Sequence, residues 1–277
     1  EVGATGNAGN INIDTPQLSL SGLSLISVIT AENGNAGNIN LKVNNLDIRD
    51  LGLISLDSLA DGNAGNLSIN AADSVSLNDG FIVSTVLQGG DGGEINIITP
   101  QLSLLDFSLI TSNTTGNGNP SKINLKVDNL TVMNGSYMQT ATYADGNAAT
   151  LNLIATRSVD IGRLGDDIFS YLASFANFGS SGDAGNLNIT TPQLNLEESF
   201  ISANTLGSGN AGDITLELNN LNMRGDFYVS QILTGTFTDG NGGNLTINAA
   251  DSIEISGFSD DGFPSGLFSA SQLGSSG

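Results

Sequence analysis

Three pairs of neighbouring acids carry the most obvious potential for chemistry: Asp166-Asp167, Glu197-Glu198 and Asp260-Asp261. Two or three carboxylates on one face can hydrolyse a glycosidic bond, and an Arg or Lys beside Ca²⁺-binding carboxylates can drive a polysaccharide lyase. The arginines, Arg49, Arg157, Arg163 and Arg224, are scattered. Each acid pair is contiguous rather than repeated at an interval that would stack it. Solvated surface charge is therefore the preferred reading, and the chain is read as a non-enzyme. A carbohydrate-active enzyme, lyase or hydrolase, is the alternative. With no cysteine, a disulfide framework, a thiolate metal site and a Cys nucleophile are excluded.

Two glycine-rich turns, GGDGGE at 89–94 and DGNGGN at 239–244, resemble Ca²⁺-binding nonapeptide repeats. Here, however, the turns recur at 28-residue intervals, so they are read as structural. No cofactor or metal is assigned; weak Ca²⁺ association is the residual expectation, with an ion-binding matrix or sheath protein as a minor alternative. Arg224-Gly225-Asp226 spells a cell-adhesion tripeptide, which a Gly- and Asp-rich chain also produces by composition. The Asn-x-Ser/Thr sequences, such as Asn66-Leu67-Ser68, have the same origin. Of the 15 aromatics, 13 lie after residue 136. Phe169, Tyr171, Phe175 and Phe178 fall within one stretch, 161–179, together with Arg163, Asp166 and Asp167. Rings packed over a bulge are the preferred reading. The functional alternative is a shallow glycan site, with rings stacked on sugar faces and the charged groups bonding hydroxyls.

The charge is −21, from 7 Lys+Arg against 28 Asp+Glu, which argues against nucleic acid or an anionic membrane as partner. Regular alternation of polar residues with the 39% that are hydrophobic argues against disorder. No stretch approaches the ~18 apolar residues of a membrane-spanning helix. The opening EVGATGNAGN has no basic region or apolar core, so no signal peptide is expected in it.

What must position these residues is a repeat. Turn glycines fall at Gly6, Gly34, Gly62, Gly90, Gly118, Gly146, Gly182, Gly209 and Gly240, first at intervals of 28, then 36, 27 and 31. A triple unit lies above the single one, since TPQL returns at Thr15, Thr99 and Thr191. Each unit holds three short alternating runs, such as Ile11/Ile13, Leu18/Leu20 and one centred on Ile26. The pattern predicts an all-β, right-handed parallel β-helix (β-solenoid) of about nine coils of ~28 residues, three strands per coil. Aliphatic ladders fill its interior, and Asn12, Asn40, Asn96, Asn124, Asn152 and Asn188 form an outer amide column. Turn Gly and Asn are expected to supply positive φ. At about 4.8 Å per coil the rod is on the order of 40 Å long. The eight extra residues of the sixth interval are assigned to 161–179. Residues 1–277 read as one segment, a window of a longer array, whose coil ends could associate end to end.

Units of GNAGN-I-I … LSL … ISA resemble the passenger repeats of filamentous-haemagglutinin-type exoproteins of two-partner secretion, most of all the large cyanobacterial versions. The resemblance runs from Gly6 to about Phe268. The secretion domain's Asn-Pro-Asn type motif is represented only by Asn119-Pro120-Ser121, inside a turn. The resemblance implies a secreted, cell-surface rod for structure or adhesion, with a host-cell or matrix glycan or receptor as partner. It also implies an outer-membrane transporter for the parent protein.

Overall fold

The computed structural model describes residues 6–163 and 169–271. Strands β1 (Ile11–Leu20) and β2 (Leu25–Thr30) make the first coil, β3 (Ile39–Arg49) and β4 (Leu53–Ser58) the second, β5 (Leu67–Asn78) and β6 (Phe81–Val86) the third. Then come β7 (Glu94–Leu105) with β8 (Leu109–Thr114), β9 (Lys122–Met133) with β10 (Tyr137–Thr142), and β11 (Leu151–Gly162) with β12 (Tyr171–Ala176). The last three coils are β13 (Leu187–Glu197) with β14 (Phe200–Thr205), β15 (Ile214–Arg224) with β16 (Gln231–Thr236), and β17 (Leu245–Ser256) with β18 (Gly266–Ser271). Long strands pair only with long and short with short, all parallel, as two nine-stranded sheets. This is a β-solenoid of nine coils, and no helix occurs among the described residues.

Each coil has two strands rather than the expected three. The first two runs merge into one long strand that bends in its middle. In β3 the buried positions are Ile39, Leu41 and Val43, then Leu46 and Ile48, with Asn44 and Asn45 both turned out of the core. The ladder skips one position there, between Thr15↔Val43 and Gln17↔Asn45. Two successive outward residues move the alternation by one, which is how a strand rounds a corner without ending. Every third coil adds a bulge at this bend: the offset to the preceding coil goes from 28 at Val43↔Ala71 to 29 at Asn45↔Ser74. In coil three the next turn is a residue shorter and restores 28 at Leu53↔Phe81. The triple period in the sequence is this bulge.

The interior along the long strands is aliphatic apart from the threonine that opens TPQL, buried as Thr99 and Thr191. Along the short strands it is mixed, which corrects the expectation of purely aliphatic ladders. Ile26, Ile54, Ile82, Ile110, Met138, Leu172, Ile201 and Ile232 form one inward column. The last inward column is Thr30, Ser58, Thr114, Thr142, Thr205 and Thr236, apart from Val86 and Ala176. Each of these hydroxyls donates to the carbonyl two residues on, for example Ser58 to Ala60 at 3.0 Å and Thr205 to Gly207 at 3.1 Å. A buried carbonyl at a tight turn needs a partner, and a short hydroxyl supplies one without leaving the column.

GNAGN is explained by the coil beneath it. The N–H of Asn35 donates to Asn7 Oδ1, Asn63 to Asn35, Asp91 to Asn63 and Asn119 to Asp91, each at 2.9 Å. The ladder continues through Asn147, Asp183, Asn210 and Asn241 at 2.6–3.0 Å, unbroken over nine coils. A second ladder starts at Asn10, Asn38 and Asn66. Contrary to expectation, the turn glycines do not supply positive φ. A Cβ on Gly34 would overlap the Gly6 carbonyl, and the same overlap recurs at each later coil. Positive φ sits instead at the corner after the long strand, at Leu23, Asp50, Leu51, Asp79, Asp106, Phe107, Asn134 and Glu198.

Candidate functional site

The corner between long and short strand is tight in the early coils; Asp79-Gly80 alone makes it in the third. In coils six, eight and nine it widens to residues 163–170, 225–230 and 257–265. The flanking strands stay in register, and in coils eight and nine the longer corners leave Phe227, Phe258 and Phe263 exposed. The sixth coil's eight extra residues are not one insertion at 161–179. Its offset to the fifth coil grows from 28 at Leu151↔Ile123 to 29 at Ser158↔Asn129. It reaches 34 at Tyr171↔Tyr137. The next turn completes it, since Leu187 pairs with Leu151, 36 residues away.

The corners of coils six, seven and eight meet around one carboxylate. Glu198 occupies the two-residue turn of coil seven, with φ 48°. Its Oε2 lies 2.8 Å from Arg163 Nε, and the two side chains are only 7% and 11% exposed. Its Oε1 accepts the N–H groups of Phe227 at 2.6 Å and Tyr228 at 3.1 Å. A carboxylate taken this far out of water needs both the opposite charge and the backbone donors. The Arg163 guanidinium lies over the Tyr228 ring, 4.9 Å from its centroid. Phe169 meets Phe200 and Tyr228 edge-on, each at 4.9 Å. Coils six, seven and eight are thus tied by a buried ion pair under an aromatic cover.

The residues singled out from the sequence divide between places. Asp166 and Asp167 lie outside the described residues. Arg163 and Phe169 belong to the corner just built, with their polar and ring contacts turned inward. Tyr171 and Phe175 occupy the first and fifth positions of β12, on its outer face. Tyr171 stacks on Tyr137 of the coil below, centroids 4.6 Å apart and planes within 9°. Its hydroxyl donates to Gln139 Oε1 at 3.3 Å. Burial first, then the neighbouring tyrosines, pushes the Tyr171 hydroxyl well above its ordinary value; burial and Tyr143 raise Tyr137. Phe178 is 77% exposed at the opposite corner, beyond β12. A six-residue strand at about 3.3 Å per residue puts on the order of 17 Å between that corner and Phe169.

Sequence reasoning missed Glu198, Phe200 and Tyr228 as members of the cluster. The only signal was the uneven intervals of 36, 27 and 31, which say that corners differ without saying what meets there. The loop held by Glu198 is the most prominent feature of this corner. It presents Phe227 at 58% exposure. Arg224 and Asp226 beside it are also exposed. Gly225 N–H donates to Ser256 O at 2.9 Å and Asp226 N–H to Tyr228 O at 3.2 Å, so the tripeptide sits on an ordered turn.

Some of the other acids have structural partners. Glu198 is buried while Glu197 is exposed, so that pair does not act as two converging carboxylates. Asp91 of GGDGGE takes an Asn place in the turn ladder, accepting both the N–H and the amide of Asn119. Asn241 and Asn244 of DGNGGN are the donors of the last steps, their N–H groups bonding Asn210 Oδ1 and Asp213 Oδ1. Among the described residues no three acidic side chains converge as metal ligands. Comparison with known proteins found no matching family model, no matching curated protein and no matching solved structure.

Proposed function

We propose that the chain is a segment of an extended extracellular rod serving structure and adhesion, of the filamentous-haemagglutinin kind that its repeats resemble. The observation that supports this most is the unbroken Asn/Asp ladder, in which each coil's turn N–H is held by a side chain of the coil beneath. Hydrogen bonds repeated along one axis resist separation of the coils, and the recurring residue types are those that stacking requires. Adhesion falls to the places where the repeat is broken, above all the 225–230 loop with exposed Phe227. A flat ladder repeats one surface; a projecting loop offers a distinct one.

Immunolabelling and mild protease treatment of intact source cells test the location. Surface labelling that protease removes is expected; antigen confined to the cytoplasm overturns the reading. Adhesion is tested on a glycan array with the wild-type chain and Phe227→Ala, an exposed change that leaves the core intact. Incubation with acidic polysaccharides tests the rival class. Turnover abolished by substituting one carboxylate would make the chain an enzyme.

A further inference from the structure

The tight corners of coils one, two and four have a feature that stacking does not demand. Leu23, Leu51 and Phe107 have φ of 63°, 66° and 65°, a region that L-residues adopt under strain. They are 76%, 44% and 50% exposed, so their side chains do not fill the core. Gly135 holds the equivalent place in coil five with φ 74°, so glycine serves the turn equally well. Beside this column run Leu25, Leu53 and Leu109, the first outward positions of their short strands. The result is an apolar strip along the rod axis, carried through coil three by Phe81 of the second column alone. On its other flank, in coils two to four, lies a row of acids, Asp50, Asp79 and Asp106, at the preceding turn position; Arg49 Nε lies 3.8 Å from Asp50, and Asp106 accepts the Asn78 and Asn134 amides. The register is set by backbone bonds from Leu23 to Asp50, Leu51 to Asp79 and Phe107 to Asn134.

We infer that this strip docks a cationic amphipathic helix of a partner protein, laid along the rod. Its apolar face covers the leucines and Phe107, and its Lys or Arg residues face the acidic row. Charge selects this occupant. A second copy of the chain would bring acid against acid between molecules of charge −21, and an anionic lipid surface would be repelled in the same way. Spacing fits as well. Coils advance by about 4.8 Å and a helix by about 5.4 Å per turn, so a helix laid along the strip keeps an apolar residue near each turn over the ~14 Å from coil one to coil four, with basic residues opposite the acids of coils two to four. The inference does not depend on glycan binding at the 225–230 loop.

The test is fluorescence anisotropy with the 277-residue chain and a labelled Leu/Lys peptide of about fourteen residues, Leu on one helical face and Lys on the other. A scrambled peptide of the same composition is the control. The chain carrying Leu23→Asn, Leu51→Asn and Phe107→Asn together has asparagine where that backbone region is tolerated, so its circular dichroism and melting should match the wild type. The wild type is expected to bind the amphipathic peptide at least about tenfold more tightly than the scrambled one, and than the triple variant binds it. Asp50→Asn with Asp79→Asn should flatten the salt dependence. Equal binding of both peptides, or unchanged binding by the triple variant, overturns the inference. So does wild-type self-association that the triple variant loses, which would make a second copy the occupant.

Discussion

At Gly118 an added methyl would overlap the Gly90 carbonyl of the coil before, whereas at Gly6 it would meet open space. Gly118→Ala is therefore expected to cost about 1–3 kcal/mol in denaturant unfolding, by forcing two coils apart, and Gly6→Ala to cost little. Asn63 accepts the Asp91 N–H, so Asn63→Ala should cost about 1 kcal/mol while Asn63→Asp keeps the acceptor, as Asp91 and Asp183 do naturally. Equal midpoints for the Ala and Asp variants would remove the ladder from the account. Tyr137 and Tyr171 give a pH signature. Both are neutral in the fold and their hydroxyls are raised above the ordinary 10.0 by burial. The unfolded chain ionises first, so their contribution is complete below pH 10 and is lost as pH rises through the raised values. Phenolate absorbance should show late-titrating tyrosine that disappears in the Tyr137→Phe, Tyr171→Phe double variant. Early, uniform titration in the wild type would contradict the buried stack.

Between elements, the decisive contact is Glu198. Glu198→Ala removes the buried carboxylate that Arg163 and the Phe227 and Tyr228 N–H groups share, which should cost about 3–5 kcal/mol. Hydrogen exchange should quicken over 225–230 while β10 stays protected. Exchange unchanged in that loop would mean that the carboxylate does not hold it. This corner also marks the limit of what the sequence could disclose. The coils were legible because equivalent residues must land in register, so Ile11, Ile39 and Leu67 announce one another. The bend at Asn44-Asn45 was not, because one slipped residue leaves both arms alternating and reads as a gap between two strands. The cluster of Arg163, Glu198 and Tyr228 was hidden for another reason. Its members come from three coils of unequal length, and an interval counts extra residues without locating the turn that holds them. The glycine turns were legible as turns, but the cause lay in the neighbouring coil, outside the local torsions that sequence rules describe.

For the whole molecule, the ninth coil leaves Ile253, Ile255 and Leu267 at 45%, 40% and 36% exposure on its core side. Apolar surface on the last described coil favours stacking, and a charge of −21 opposes it. Screening shortens from about 10 Å at 0.1 M salt to about 3 Å at 1 M. The 277-residue chain is thus expected to scatter light as a monomer in dilute buffer and as short end-to-end stacks at high salt or with Ca²⁺; scattering that stays flat would count against this. The rod itself is tested most directly by pulsed electron-spin distances, since the natural chain has no cysteine to compete for label. Ser19, Thr131, Asn195 and Glu254 occupy one column of the long sheet, in coils one, five, seven and nine. Spin labels at Ser19→Cys paired with Thr131→Cys, Asn195→Cys or Glu254→Cys should lie about 19, 29 and 38 Å apart, rising linearly at about 4.8 Å per coil. Distances that fail to grow with coil number would contradict a stacked solenoid.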